Sequence, residues 1–226
     1  MKRFMLLRAF LISVGTSVWG QDDPVSSTSK TVDLSVTEGQ GETGTQGQTL
    51  AAALGDEANS ITELKIIGPL TAEDFVTLKN MARLQVLDMS GVTALPEIVF
   101  RMDGIDQQNF MGIPANTFVD KWTLKRVVFP TCMELIAPYA FAGCGGLESI
   151  DVPNDSNLKS IGEQAFSKCS SLENLDLSSI SSLYSIGTHA FYLCDNLRKV
   201  DLSDCSALSP DFITFLRHHI AHNDNQ

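Results

Sequence analysis

One apolar pattern recurs in this chain at a fixed interval of 25 residues. Each copy carries an Ala-Phe pair with a cysteine three residues after the phenylalanine, and the pairs are Ala140-Phe141, Ala165-Phe166 and Ala190-Phe191. A period of this length is typical of a solenoid, because a single copy cannot bury its apolar face and its neighbours must supply the core. We therefore expect the copies to stack, with each phenylalanine over the next.

Each copy continues into a segment whose last apolar positions alternate with polar ones. These segments run from Leu147 to Val152, from Leu172 to Leu177 and from Leu197 to Leu202. Alternation of this kind predicts a strand with one buried face. The Ala-Phe-x-x-Cys segment before it is predicted to be short and helix-like.

The complete pattern, Ile-Gly-x-x-Ala-Phe-x-x-Cys-x-x-Leu-x-x-Ile-x-Leu-Pro, resembles the BspA-like class of leucine-rich repeats. A fourth copy runs from Ile113 to Pro130, with Thr117 in place of the alanine and Lys121 in place of the cysteine. The resemblance covers roughly residues 60–208. We therefore predict an α/β repeat solenoid, a right-handed leucine-rich-repeat fold with a parallel concave sheet, an N-terminal cap and a C-terminal cap helix.

The other segments are arranged around this solenoid. We predict a signal peptide at 1–20, a flexible linker at 21–30, an N-terminal cap at 31–83 with a mobile loop at 37–48, repeats at 84–208 with an insertion near 92–108, and the C-terminal cap helix at 209–226.

The predicted signal peptide combines a basic start, at Lys2, Arg3 and Arg8, with an apolar run and small residues up to Gly20. It implies export, so that the mature protein is secreted or held at the cell surface. Its removal takes away three basic residues and changes the formal net charge from -11 to -14. That charge argues against nucleic acid and against an anionic membrane surface as partners. The negative charge is interpreted either as a means of keeping the protein soluble or as an attraction for a basic partner.

The two caps are predicted from local patterns. The alternating segment Val32–Val36 is expected to pair with a strand at Ile61–Ile67, and Ser209-Pro210-Asp211 is a strong helix start.

The chain between Met89 and Phe110 is about 15 residues longer than the same stretch of later copies. This excess predicts an inserted loop that packs back on the body. The insertion is interpreted either as a binding element or as a tolerated decoration.

The candidate ligand-binding residues are the strand positions that point away from the core. They are Asp88, Arg126, Val128, Ser149, Asp151, Asn174, Asp176, Lys199 and Asp201. Parallel stacking places equivalent residues roughly 4.8 Å apart, so Asp151, Asp176 and Asp201 should form an acidic ladder. Because like charges side by side oppose each other, we expect compensation by Lys199 and Arg126, by a cation or by water. A solvated consensus position is the alternative interpretation.

Five cysteines in a chain predicted to be exported cannot all pair. Cys144, Cys169 and Cys194 share one repeat position and should act as small buried apolar residues. We therefore expect free buried thiols, with one disulfide as the alternative.

No metal, cofactor or catalytic arrangement is predicted. His218, His219 and His222 are interpreted as residues of a helix end, where cations are favourable. A metal set is the less favoured interpretation, since no glutamate lies between them.

The sequence therefore predicts a non-enzymatic recognition module, which would be a monomer that binds a protein or glycan through the concave sheet. The resemblance implies that relatives are surface or secreted proteins of bacteria and some protists, several of them linked to adhesion to host matrix proteins and to other cells. A structural subunit of a surface complex in the producing cell is the alternative.

Overall fold

The structure, a computed structural model, describes residues 27–35, 48–100 and 107–209. Its strands are β1 (Ser29–Asp33), β2 (Glu63–Pro69), β3 (Val86–Ala94), β4 (Glu97–Phe100), β5 (Gln108–Ile113), β6 (Arg126–Val128), β7 (Leu135–Ile136), β8 (Ser149–Asp151), β9 (Ser160–Ile161), β10 (Asn174–Asp176), β11 (Ser185–Ile186) and β12 (Lys199–Asp201). Its helices are α1 (Leu50–Leu54), which continues as a 3-10 turn (Gly55–Asn59), and α2 (Ala72–Asn80).

Each repeat contributes one strand to each of two parallel ladders. The first ladder has the order β1-β2-β3-β6-β8 and resumes as the pair β10-β12. We call these seven strands the first sheet. The second sheet has the order β11-β9-β7-β5-β4, in which every pair is parallel except β4 with β5. Two ladders of short parallel strands, with few helices, fit the predicted repeat solenoid.

The phenylalanine column forms the centre of the core. Successive rings of Phe118, Phe141, Phe166 and Phe191 stack with centroids 5.0, 5.3 and 5.8 Å apart. The cysteines stack beside them, and the Sγ of Cys169 donates to the carbonyl of Phe141 at 3.3 Å. None of the five cysteines forms a disulfide; four of them are buried and Cys132 is half-buried.

The prediction of a helix-like Ala-Phe-x-x-Cys segment was wrong. In each copy the residues two before and two after the phenylalanine lie on opposite sides of a tight turn, both in left-handed backbone conformation; these residues are Asn116, Asp120, Tyr139, Gly143, Gln164, Lys168, His189 and Leu193. The turns are joined by backbone hydrogen bonds between copies, such as that from Phe141 N–H to the Ala165 carbonyl at 2.8 Å. We call this set of bonds the turn ladder. A helix would direct those N–H groups to carbonyls of its own copy, whereas the turns direct them to the next copy.

The predicted inserted loop is instead a β-hairpin. β4 pairs antiparallel with β5, with Ile98 opposite Phe110, and the connecting residues 101–106 lie outside the described chain. Phe110 is buried with Leu135 and Ala137, and Ile98 and Phe100 pack on that cluster. The segment therefore packs on the body, as predicted, but it satisfies its backbone groups by extending the second sheet rather than as a loop.

The N-terminal part has the expected strand pairing. β1 pairs with β2 in parallel, with Val32 opposite Ile66. The strand begins at Ser29, so Lys30, the last residue of the predicted linker, is already paired in the sheet. A capping box starts α2, because Thr71 and Asp74 exchange side-chain and backbone hydrogen bonds there. Asp74 also accepts a hydrogen bond from Leu50 N–H at 2.7 Å and so ties α1 to α2.

Several predictions fall outside the described residues. They concern the signal peptide at 1–20, residues 21–26 of the linker, nearly all of the loop at 37–48, the C-terminal cap helix beyond Ser209, and His218, His219 and His222. Within the described residues, no helix is long and apolar enough to cross a membrane.

Candidate binding face on the first sheet

All nine predicted residues lie on the outward side of the first sheet, in two rows that run across the strands. One row contains Lys65, Asp88, Val128 and Asp151 in register, and then the pair Asp176 and Asp201. The other contains Glu63, Val86, Arg126 and Ser149, and then the pair Asn174 and Lys199. We call these two rows the polar face.

The alternation of each strand produces this arrangement. Leu87, Val127 and Leu175 are buried in the core, and the residues on either side of them project outward. Arg126, Asn174, Asp176 and Lys199 are exposed, and the other predicted residues of the face are partly exposed.

Three of the four aspartates on the polar face are paired with a cation. Lys65 Nζ lies 2.8 Å from Asp88 Oδ2, and Lys199 Nζ lies 2.8 Å from Asp201 Oδ2. Arg126 donates to Asp151 through Nε at 2.9 Å and also through Nη2. The acidic ladder is therefore largely neutralised by side chains of this protein.

The carboxylate pKa values reflect these partners. Burial raises the pKa of Asp88, but hydrogen bonds from Lys65 and Ser90 outweigh it and hold that pKa below its usual value. The hydrogen bond from Lys199, aided by those from Ser203, lowers the pKa of Asp201 to about 2. The hydrogen bond to Asp151 raises the pKa of Arg126.

Asp176 differs from the other three aspartates. Its carboxylate accepts a hydrogen bond from Ser178 N–H at 2.9 Å, and the hydrogen bonds from Ser178 lower its pKa. Within the described residues it makes no ion pair. Asp176 is thus an exposed carboxylate that stays ionised without a cation of its own.

The first sheet is interrupted beside this residue. Phe129 N–H bonds the Asp151 carbonyl and Leu177 N–H bonds the Asp201 carbonyl, both at 2.9 Å, but among the described residues no backbone hydrogen bond joins β8 to β10. A cavity of about 180 Å³ opens there. It is lined by Ile150, Asp151, Val152, Asn154, Asp176, Ser179 and Ile180.

The cations are placed unevenly on the two sides of the interruption. Arg126 approaches Asp151 from β6, on the side away from β10. Lys199, by contrast, lies beside Asp176 and Asp201, and those two strands remain paired.

The polar face offers hydrogen-bonding and charged groups suited to binding. Asp88, Asp176 and Asp201 all have lowered pKa values, so the face does not combine a protonated carboxylic acid with a carboxylate base. Over residues 27–35, 48–100 and 107–209, no group of three metal-ligating side chains is assembled.

Sequence reasoning missed Lys65 and the cavity. Lys65 lies between Leu64 and Ile66 as Asp88 lies between Leu87 and Met89, and aligning these two segments would have placed the lysine beside the aspartate. The cavity had no such signal, because it arises from a gap between two strands of ordinary sequence.

Comparison with known proteins agrees with the repeat architecture. Residues 111–211 match the model of the BspA type leucine rich repeat region in six copies. No curated protein matches the chain.

Two solved structures are similar to part of the chain. A leucine-rich repeat protein from Bacteroides ovatus is 21% identical over 64% of this chain, with a TM-score of 0.45. A leucine-rich repeat protein from T. pallidum is 23% identical over 66% of this chain, with a TM-score of 0.41. The matched region spans 30% of the first protein and 64% of the second.

Proposed function

Because residues 111–211 belong to the BspA type of leucine-rich repeat, a protein-interaction module that is typically non-enzymatic, we propose that this protein is an exported recognition module. It binds a macromolecule at a surface, either a host matrix protein, a cell-surface protein or a glycan. The polar face is the binding surface, and the signal peptide at 1–20 directs the protein to the cell exterior. No cofactor takes part.

The observation that carries the proposal is the contrast between Asp176 and its neighbours. The other aspartates of the face are occupied by cations of this protein, whereas Asp176 borders a cavity and keeps an unpaired negative charge. A basic group of a partner that entered between β8 and β10 would gain two carboxylates, those of Asp151 and Asp176. Recognition is therefore centred on that gap.

The test is binding of the purified full chain to a panel of matrix proteins and glycans. Asp176→Lys should abolish any signal that depends on the polar face. Asp195→Lys is the matched control, because Asp195 is also exposed, lies in a turn away from the face and undergoes the same change of charge. A signal that both variants lose equally would reflect net charge alone, and a signal that neither loses would exclude the polar face.

A double variant gives a second readout. In Asp151→Lys/Asp176→Lys the guanidinium of Arg126 loses its partner and the gap becomes basic. A basic partner should then be rejected completely, and an acidic one should gain affinity. Unchanged binding of the panel would contradict the proposed site.

The hairpin favours a second function, that of an assembly subunit. β4 is the edge strand of the second sheet, and Val99 on it is 56% exposed. Exposed strand edges pair readily with other chains. Sedimentation separates the two functions, because a monomer is expected of the recognition module and a defined oligomer of the subunit. Val99→Lys should dissociate such an oligomer.

A further inference from the structure

The turn ladder has an open end at its first copy. Within the ladder, each copy donates N–H groups at alternate residues to carbonyls of the following copy. Phe118 N–H, for example, bonds the Ala140 carbonyl at 2.7 Å, and Asp120 N–H bonds the Ala142 carbonyl at 2.8 Å. The equivalent carbonyls of the first copy belong to Thr117 and Val119, and no donor among the described residues reaches either one. The ladder therefore presents two acceptors, spaced two residues apart, where α2 replaces a preceding copy.

These acceptors border a groove of about 310 Å³ between α2 and the first copy. Its lining includes Lys79, Ala82, Thr117, Val119 and Trp122. Trp122 is 73% exposed, which makes it the most exposed of the large apolar side chains that the structure describes. On α2, Val76 is 58% exposed and lies three residues before Lys79, on the same side of the helix. The groove thus combines free main-chain acceptors with the apolar side chains of Val119 and Trp122, and exposed Val76 lies nearby on α2.

The groove also carries positive charge, although the protein as a whole is acidic. Lys79 makes no ion pair within the described residues, and exposed Arg83 follows Ala82. Asp120 is the acidic residue of the lining, but its carboxylate points toward the following copy. The Oδ1 of Asp120 lies so close to Gly143 that a Cβ added to this glycine would collide with it. An acidic group in the groove would therefore meet a cation.

We propose that this groove docks an extended segment of a partner protein that carries an acidic side chain. Alternate N–H groups of the segment donate to the carbonyls of Thr117 and Val119, as an added strand does at a sheet edge. Its apolar side chains pack on Trp122 and Val119, and its carboxylate lies near Lys79. This surface is separate from the polar face, since Trp122 lies in the turn before Leu124 rather than on a strand of the first sheet.

The probe is a displayed library of random octapeptides, selected on the full chain and counter-selected on the Trp122→Ser variant. We expect enrichment of acidic sequences with alternating apolar residues. Their affinity should fall at least about tenfold in Trp122→Ser and in Lys79→Glu, because buried aromatic anchors and desolvated charge pairs dominate such contacts. Tyr192→Ser is the control, since Tyr192 is exposed but its carbonyl already accepts from Lys168 N–H, and affinity should stay within about twofold.

Backbone methylation tests the main-chain bonds directly. One selected peptide is made with N-methyl groups on two alternate amides, and again with N-methyl groups on the intervening two. One pattern should abolish binding and the other should be tolerated, because only one set of N–H groups faces the ladder. Asp176→Lys should leave binding of the peptide unchanged.

Three results would overturn the proposal. They are the absence of any sequence whose enrichment depends on Trp122, equal binding of the two methylated peptides, and self-association of the chain that Trp122→Ser abolishes. The last result would make a second copy the occupant of the groove.

Discussion

Replacing Lys121 by cysteine, the residue of the repeat consensus, should destabilise this protein. In later copies the cysteine donates to the carbonyl of the phenylalanine in the copy before it, as Cys144 Sγ does to the Phe118 carbonyl at 3.0 Å. The copy that contains Lys121 follows α2 instead, and the last carbonyls of a helix have no partner within it. Lys121 Nζ reaches the carbonyls of Lys79 and Met81 at 2.9 and 2.8 Å. A thiol at this position is too short to make those bonds.

The magnitude follows from the two bonds. A hydrogen bond to a charged donor contributes about 1.5–3 kcal/mol, and a buried acceptor left alone costs about 1–3 kcal/mol. Burial of the ammonium offsets part of this, since burial lowers the pKa of Lys121. We therefore expect Lys121→Cys to lower the free energy of unfolding by about 2–4 kcal/mol.

Urea unfolding followed by far-UV circular dichroism measures this difference. Lys125→Cys makes the same replacement at an exposed lysine and should change the unfolding free energy by less than about 0.5 kcal/mol. If Lys121→Cys were as stable as the wild type, the lysine would be an accident of sequence rather than the link between α2 and the repeats.

The pH dependence gives an independent check. A lysine whose pKa is lower in the folded state binds fewer protons there than in the unfolded state at pH values between the two pKa values. The free energy of unfolding should therefore rise with pH from the lowered pKa toward the ordinary value of 10.5. Lys121→Met should lack this contribution to the rise.

Three further outcomes are expected. Phe141→Ala should lower the free energy of unfolding by about 3–5 kcal/mol, and Phe191→Ala should lower it by less. Phe141 is fully buried between two rings, whereas Phe191 is 7% exposed. Equal losses in chemical denaturation would contradict the stacked core. The Asp201 carboxyl should titrate by NMR near pH 2, so that its stabilising contribution is complete above about pH 4 and is lost as pH falls through the folded value; a midpoint at its ordinary 3.8 would show that the Lys199 contact is absent in solution. At pH 8 a thiol reagent should modify half-buried Cys132 before Cys144, whose pKa burial raises to about 12; mass spectrometry that found Cys144 modified first would contradict its burial.

The repeat spacing was enough to predict the stack and the orientation of the strands. Because Phe141, Phe166 and Phe191 are 25 residues apart, equivalent side chains had to align, and alternation decided which side each one faces. The position of all nine candidate residues on one face follows from those two facts. The proposed binding role of that face does not follow from them, since a periodic pattern fixes geometry and leaves the ligand open.

Local conformation was harder to predict than the period. Seven of the eight left-handed positions around the phenylalanines are occupied by residues other than glycine. Gly143 is the one residue among them whose type indicates that conformation in the sequence. The bonds of the turn ladder hold the others there, and those bonds exist only once the copies have stacked. A single copy therefore has no local signal for the turn, which is why it resembled a short helix.

The prediction of a loop for the insertion was wrong for a related reason. Its alternation at Ile98 and Phe100 is a strand signal, but an excess of residues over the repeat period favoured a loop. The hairpin forms because Ile98 and Phe100 can pack against Phe110 and Leu135 on an existing sheet. Tertiary contact, rather than local preference, decides the conformation of such a segment.

The polar face shows how a consensus residue can acquire different roles along one solenoid. Stacked aspartates repel each other, and a nearby cation offsets that cost. Lys65, Arg126 and Lys199 supply the cations for Asp88, Asp151 and Asp201. Between Asp151 and Asp176 no such cation lies, and there the strands separate and a cavity forms. Asp176 lines that cavity and has no ion-pair partner among the described residues, and for that reason we expect the partner to be recognised at this gap rather than along the whole face.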